Sequence, residues 1–179
     1  MTQSFKERLK GGRPALGCLV NMASPIATEI IACAGYDCVM IDLEHGPGDV
    51  LTAVQQMQAV SGTACAPLIR VAERAAVHLK RALDAGPAGV MVPMVSTGEE
   101  AHEVVAACRY PPAGVRGVAH TIARASGYGT QVQRYVERAE AELLVICQIE
   151  TLEGVDNADQ IAATEGIDMI FIGPMDLSA

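Results

Sequence analysis

Tryptophan is absent from this 179-residue chain, and phenylalanine and tyrosine occur only two and four times. Its core must therefore be built from Ala, Val, Ile, Leu and Met. No basic cluster interleaved with aromatics is present, and 21 acidic residues against 13 basic ones give a net charge of −8. Nucleic acid is not an expected partner, and an anionic membrane surface fits poorly. No apolar run approaches the ~18 residues of a spanning helix. The first ten residues, Met1 to Lys10, are charged and lack an apolar h-region, so no signal peptide is expected. The six cysteines form no C-x-x-C pair and lie mostly in apolar segments. Buried, reduced thiols in a cytoplasmic protein are expected. Lysine is scarce as well, limited to Lys6, Lys10 and Lys80.

What the chain does have is alternation. Short apolar runs at residues 15–22, 38–43, 66–71, 89–94, 143–149 and 168–173, with a weaker one at 116–119, read as buried parallel strands. Ala-rich amphipathic stretches at 25–34, 49–60, 75–84, 98–108, 129–140 and 153–163 read as helices. Ser24-Pro25 has the form of an N-cap with proline at the first helical position. Thr97-Gly-Glu-Glu100 resembles a capping box, and Gly35, Gly62 and Gly86 stand where a left-handed residue closes a helix. Repeated βα units mean a parallel sheet with right-handed crossovers. A nucleotide-binding doubly wound sheet calls for a Gly-rich turn after strand one, and Val20-Asn-Met-Ala-Ser-Pro25 has none. Polar residues recur after several strands, which favours a (β/α)₈ TIM-type barrel. Such barrels typically need ~250 residues, so a single domain over 1–179, stopping after the seventh strand, is expected. The segment from Arg109 to Tyr128 is too long for a simple connection and has the character of a functional or mobile loop.

Several polar residues fall at strand ends. Asp42-Leu-Glu44-His45 offers either a carboxylate-oriented imidazole base or a solvated acidic loop. Arg70 is either a fixed cation for a carboxylate or enolate, or a salt-bridge partner of a nearby acid. Asp84, by position alone, is a helix-terminal surface acid. Gln148 and Glu150 share one face of their strand while Val145, Cys147 and Ile149 share the other. Glu150 and Asp176 close successive strands, and two such carboxylates suit a hard octahedral cation, Mg²⁺ or Mn²⁺. His78 and His102 lack ligand spacing, and His120 lies in the Gly-rich loop.

Taken together, Tyr36 to Pro47, Pro67 to Val71, Gly89 to Met94, Cys108 to Gly117, Arg124 to Ser126, Gln148 to Thr151 and Phe171 to Ser178 resemble the HpcH/HpaI aldolase family. The resemblance implies a carbon–carbon lyase cleaving a 4-hydroxy-2-oxo acid to pyruvate and an aldehyde, with a divalent cation (Mg²⁺ or Mn²⁺, or Co²⁺). It implies Glu150 and Asp176 as metal ligands and His45 as general base, with Asp84 raising its basicity and Asp42 orienting it. Arg70 would stabilise developing charge, and Gln148 would contact substrate. The backbone from Gly173 through Met175 and Asp176 would receive the pyruvate carboxylate. Glu44 would partner metal-bound water. Members often have a small residue where this chain has Met175, which implies a differently shaped carboxylate pocket. They also run on for roughly another strand and helix, so the eighth βα unit is expected to be missing. A homo-oligomer is implied. An acyl-CoA or citramalate-type lyase, or a non-catalytic barrel subunit, are the alternatives.

Overall fold

The computed structural model describes residues 3–179. Met1 and Thr2 of the charged N-terminal stretch lie outside the described residues. In chain order the elements are α1 (Phe5–Lys10), β1 (Gly17–Val20), α2 (Pro25–Cys33), β2 (Cys38–Asp42), α3 (Val50–Ala59), β3 (Ala66–Arg70), α4 (Ala76–Ala85) and β4 (Gly89–Val92). There follow α5 (Gly98–Cys108), a 3₁₀ turn at Arg124–Ser126, α6 (Val132–Glu142), β5 (Leu144–Ile149), α7 (Leu152–Asp156), α8 (Ala158–Ala163), β6 (Met169–Ile172) and α9 (Pro174–Leu177). The strands form one six-stranded sheet in the order β1 to β6, all parallel and curled into half a barrel.

Six strands, rather than seven, are therefore present among the described residues. Residues 116–119 do not form a strand, because β4 pairs directly with β5 and leaves no ladder position between them. Val118 is exposed instead, and Arg116 turns inward onto Asp84. The expected helix at 153–163 is split in two at Asn157. Its side chain leaves the helix to donate to the Ser96 carbonyl at 2.9 Å. Ser24 and Pro25 open α2 as expected. Thr97 caps α5 by accepting from the Glu100 N–H, but the Glu100 carboxylate accepts from the Ser96 N–H rather than closing the box. Gly35 and Gly86 are left-handed, whereas Gly62 lies beyond an α3 that has already ended in an ordinary helical turn at Val60.

Strand alternation sorts the side chains. Ile41, Ile69, Val90, Val92, Val145, Cys147 and Ile149 face the helices and make the main core. On the other, concave face lie Met40, Ala66, Leu68, Met91, Leu144 and Ile146. Phe5 of α1 packs beneath them at the amino ends of the strands. The Lys6 ammonium holds α1 there, donating to the Leu143 carbonyl (3.1 Å) and pairing with Asp168 (2.8 Å). The sequence gives warning of α1 in Ser4-Phe-Lys-Glu7, a complete capping box. The concave face encloses a cavity of 610 Å³. Going up each strand, that face changes from apolar to polar: Met40 is followed by Asp42, Leu68 by Arg70, and Ile146 by Gln148 and then Glu150. Two residues per step keep all of these on the same side.

Candidate active site

At the carboxyl ends of β2, β3 and β5 the concave face closes over a buried ionic network. Asp42, Arg70, Gln148 and Glu150 are 3, 7, 3 and 4 % exposed. Such groups are tolerated in a core only when each finds partners. The register supplies the first pair, since Asp42 lies directly across from Arg70. The guanidinium donates twice to that carboxylate, Nε to Oδ1 at 2.9 Å and Nη2 to Oδ2 at 2.7 Å. Its remaining edge meets Glu44 Oε2 at 3.1 Å and donates to Gln148 Oε1 at 3.5 Å. Gln148 in turn donates to Glu150 Oε2, and the Met94 N–H donates to Glu150 Oε1 at 2.8 Å. A chain of charge-assisted bonds thus runs from β2 to β5.

These contacts settle how the charges are held. Burial raises the Asp42 carboxyl, but its hydrogen bonds from Arg70 and from the backbone of Glu44 and His45 outweigh that and leave it below the ordinary aspartate range. Glu44 behaves oppositely: burial raises it, and the attraction of Arg70 only partly offsets the rise. A group depressed in the folded state stabilises the fold above its unfolded pKa, and that stability is lost as pH falls through the folded value. A carbon-detected NMR titration is thus expected to place the Asp42 midpoint below that of an ordinary aspartate. A midpoint at or above it would contradict the bidentate pair.

His45 stands at the mouth with its ring 68 % exposed. The carboxylate nearest the ring is Glu44, at 3.8 Å from Nε2, while Asp42 accepts only the His45 backbone N–H, at 3.4 Å. Asp42 therefore shapes the loop rather than the imidazole. Asp84 is not brought to His45 within the chain. It sits at the far end of α4, where it pairs with the buried Arg116 at 3.1 Å. Arg116 in turn lies over the ring of Tyr110, 4.5 Å from its centroid. Asp176 and Met175 lie exposed on α9, directly after Gly173.

The residue most easily overlooked in the sequence is Met94. It has a left-handed φ of 56°, and its amide supplies one of Glu150's two donors. Gly173 is required by space: a Cβ there would stand 2.5 Å from Glu150 Oε2 and 2.8 Å from Glu150 Cβ. His78 pairs with Glu73 at 3.1 Å on the outer surface, and His120 packs edge-on against Tyr110. Lys6 and Lys10 lie on α1 and Lys80 on α4. Among the described residues, no three His, Cys, Asp or Glu side chains gather into a metal-holding group. No helix there is long and apolar enough to cross a membrane.

The architecture is that of an α/β enzyme, with a buried arginine among acids at the carboxyl ends of its parallel strands. The model of the HpcH/HpaI aldolase/citrate lyase family matches residues 15–179, and the chain belongs to that family. It is 43 % identical over its whole length to a 4-hydroxy-2-oxo-heptane-1,7-dioate aldolase of Escherichia coli, spanning 68 % of that relative. It is 44 % identical to a hydroxypyruvate/pyruvate aldolase of Deinococcus radiodurans, again over its whole length and 64 % of the relative. A crystal structure of an HpcH/HpaI aldolase/citrate lyase family protein from Burkholderia cenocepacia superposes with a TM-score of 0.93 at 39 % identity. That match covers 99 % of this chain and 71 % of the other.

Proposed function

We propose that this chain carries the catalytic face of a TIM-type barrel aldolase, which cleaves a 4-hydroxy-2-oxo acid to pyruvate and an aldehyde. The observation that carries the reading is Arg70. It is buried, anchored through two of its nitrogens by Asp42, and aimed through the third at Gln148 and the acids beyond. A cation fixed in that way meets the negative charge that develops on the 2-oxo oxygen when the C3–C4 bond breaks. His45, exposed at the mouth beside Glu44, takes the proton of the 4-hydroxyl. The C3–C4 electron pair becomes the pyruvate enolate, the 4-hydroxyl oxygen becomes the aldehyde carbonyl, and a proton returned to C3 completes pyruvate. Gln148 positions the oxo acid between Arg70 and Glu150.

The residues fit the divalent cation that this chemistry calls for. Glu150 is a buried carboxylate oriented by the Met94 N–H and Gln148, and Gly173 spares its Oε2 a Cβ that would stand 2.5 Å away. Asp176 on α9 supplies the second, and a hard cation held by one or two carboxylates keeps water positions for substrate oxygens. Bound there, Mg²⁺ or Mn²⁺ (or Co²⁺) supplies Lewis-acid stabilisation of the enolate. The backbone at Gly173, Met175 and Asp176 faces the substrate carboxylate. The exposed edge strands, with Leu19 of β1 and Phe171 and Ile172 of β6 half-bare, support assembly with further copies or further barrel units. Of the six free thiols, Cys65, Cys108 and Cys147 are buried as expected, Cys18 and Cys38 are half-buried and Cys33 is exposed; thiols left unpaired agree with a cytoplasmic setting.

The test is release of pyruvate from 4-hydroxy-2-oxo acids by chelator-stripped protein with and without added Mn²⁺ or Mg²⁺. Turnover that returns with the metal is expected, and His45→Ala should remove most of it. Absence of turnover on a panel of such acids, with the metal present and the fold intact, sinks the reading.

A further inference from the structure

The sheet breaks its own register at one point beside the site. β4 pairs with β5 from Gly89 opposite Leu144 to Val92 opposite Cys147, and the Leu144 N–H donates to the Ala88 carbonyl. Parallel ladders are evenly spaced and repeat every two residues. Carried on at that register, Met94 stands opposite Ile149 and its N–H meets the Gln148 carbonyl. That carbonyl instead accepts from the Val95 N–H, at 3.2 Å. One extra residue is therefore taken up just past β4, which is a β-bulge. Met94 occupies it with a φ of 56°, a left-handed backbone that residues bearing a Cβ disfavour. Its side chain is largely exposed, so packing of the methionine does not hold the turn in place. What the bulge releases is the Met94 N–H, which leaves the ladder and donates to Glu150 Oε1 at 2.8 Å.

We propose that Met94 is a positioning residue: through its bulged main-chain N–H it fixes the Glu150 carboxylate in the orientation that holds the divalent cation. The inference rests on the lyase reading above and adds to it a residue that acts through another. The N–H is a fixed donor because the chain is clamped on both sides of it. Val92 lies in the ladder with Cys147, and Val95 is fully buried and bonded to Gln148. The other donor to Glu150 is the Gln148 amide, which sits on a rotatable side chain that also accepts from Arg70. Bulges at sheet rims re-aim groups in this way. Here the group re-aimed is a backbone amide, so any residue that keeps an N–H and the left-handed turn serves at position 94. Proline does not.

The experiment replaces Met94 by its α-hydroxy acid, which exchanges the amide N–H for an ester oxygen and keeps the side chain. Mn²⁺ binding by the chelator-stripped chain is followed by electron paramagnetic resonance of the free ion. Affinity is expected to fall roughly 10–100-fold, the usual cost of removing a group that orients a metal ligand. Met94→Ala and Met94→Gly retain the N–H and should bind Mn²⁺ as the parent does. An ester chain with the parent's affinity, or a loss of affinity in Met94→Ala, overturns the inference. A measurement on the parent stands even where the ester chain does not fold. With methionine labelled by ¹⁵N, the Met94 amide resonance should move during a Mg²⁺ titration with the midpoint of metal binding, and a resonance that stays still overturns the inference as well. Mn²⁺ bound without turnover defeats the lyase reading alone. Turnover together with an ester chain of unchanged affinity defeats the inference alone, and a parent that binds no Mn²⁺ defeats it together with the metal-assisted reading.

Discussion

Arg70→Met is expected to abolish turnover and to destabilise the fold by about 3–5 kcal/mol, the range for breaking one side of a buried ion pair. The loss follows from what remains. Asp42, 3 % exposed, keeps only two backbone donors, and Glu44 loses its one cationic neighbour at the site. Asp42 does not reach water without moving β2, whereas Glu44, 16 % exposed, still does. The companion Asp42→Leu/Arg70→Met double variant separates the two roles of the pair. Removing both charges restores most of the stability, since a buried pair replaced by apolar groups is often neutral. It restores no turnover, since the cation facing the enolate is still gone. Urea denaturation and pyruvate release, measured on the single and double variants, check both halves. A double variant as unstable as the single one would show that Arg70 supports the fold through contacts other than Asp42.

The second large effect is expected from one methyl group. Gly173→Ala places a Cβ 2.5 Å from Glu150 Oε2, 2.8 Å from Glu150 Cβ and 2.9 Å from Gln148 Nε2. The backbone at 173 tolerates alanine, since its φ of −95° is ordinary. The side chains do not tolerate it. Glu150 is held by the Met94 amide and by Gln148, so the carboxylate must turn or β6 must back away. A displacement near 1 Å in a reacting site costs roughly 100-fold in rate. We therefore expect kcat/KM for pyruvate release to fall by about that factor or more, while the urea midpoint moves little because Gly173 follows an edge strand. A variant that keeps its rate would place the metal and substrate away from Glu150.

The site was legible in the sequence where it depends on strand register. Two-residue alternation put Gln148 and Glu150 on one face, and the structure joins them by a hydrogen bond. Apolar runs ending in polar residues marked Asp42, Arg70 and Glu150, all of which meet at one end of the sheet. What was hidden is what depends on partners distant in the chain. Asp84 and Arg116 are 32 residues apart and pair because the loop after α5 folds back beneath α4, which no local pattern announces. The same folding back turned the weak apolar run at 116–119 into exposed loop. Glu44, rather than Asp42, stands by the His45 ring because Arg70 claims Asp42 first. That competition is decided by the β2–β3 register, not by neighbouring residues. Met94's role rests on a backbone amide, so its side-chain identity gave no signal.

The sheet order, which runs with the chain from β1 to β6, also governs how the protein comes off the ribosome. Each strand emerges next to a partner already made, so pairing can proceed unit by unit along the chain. One tie runs against this sequence of events. Lys6 precedes its partner Leu143 by 137 residues, and Asp168 follows later still. At the usual ~5–20 residues per second, roughly 10–30 s separate them. During nascent growth Phe5 can seat against β2 and β3, but the Lys6–Asp168 pair forms only once the residue before β6 is reached, so α1 is fastened after the strands it packs beneath.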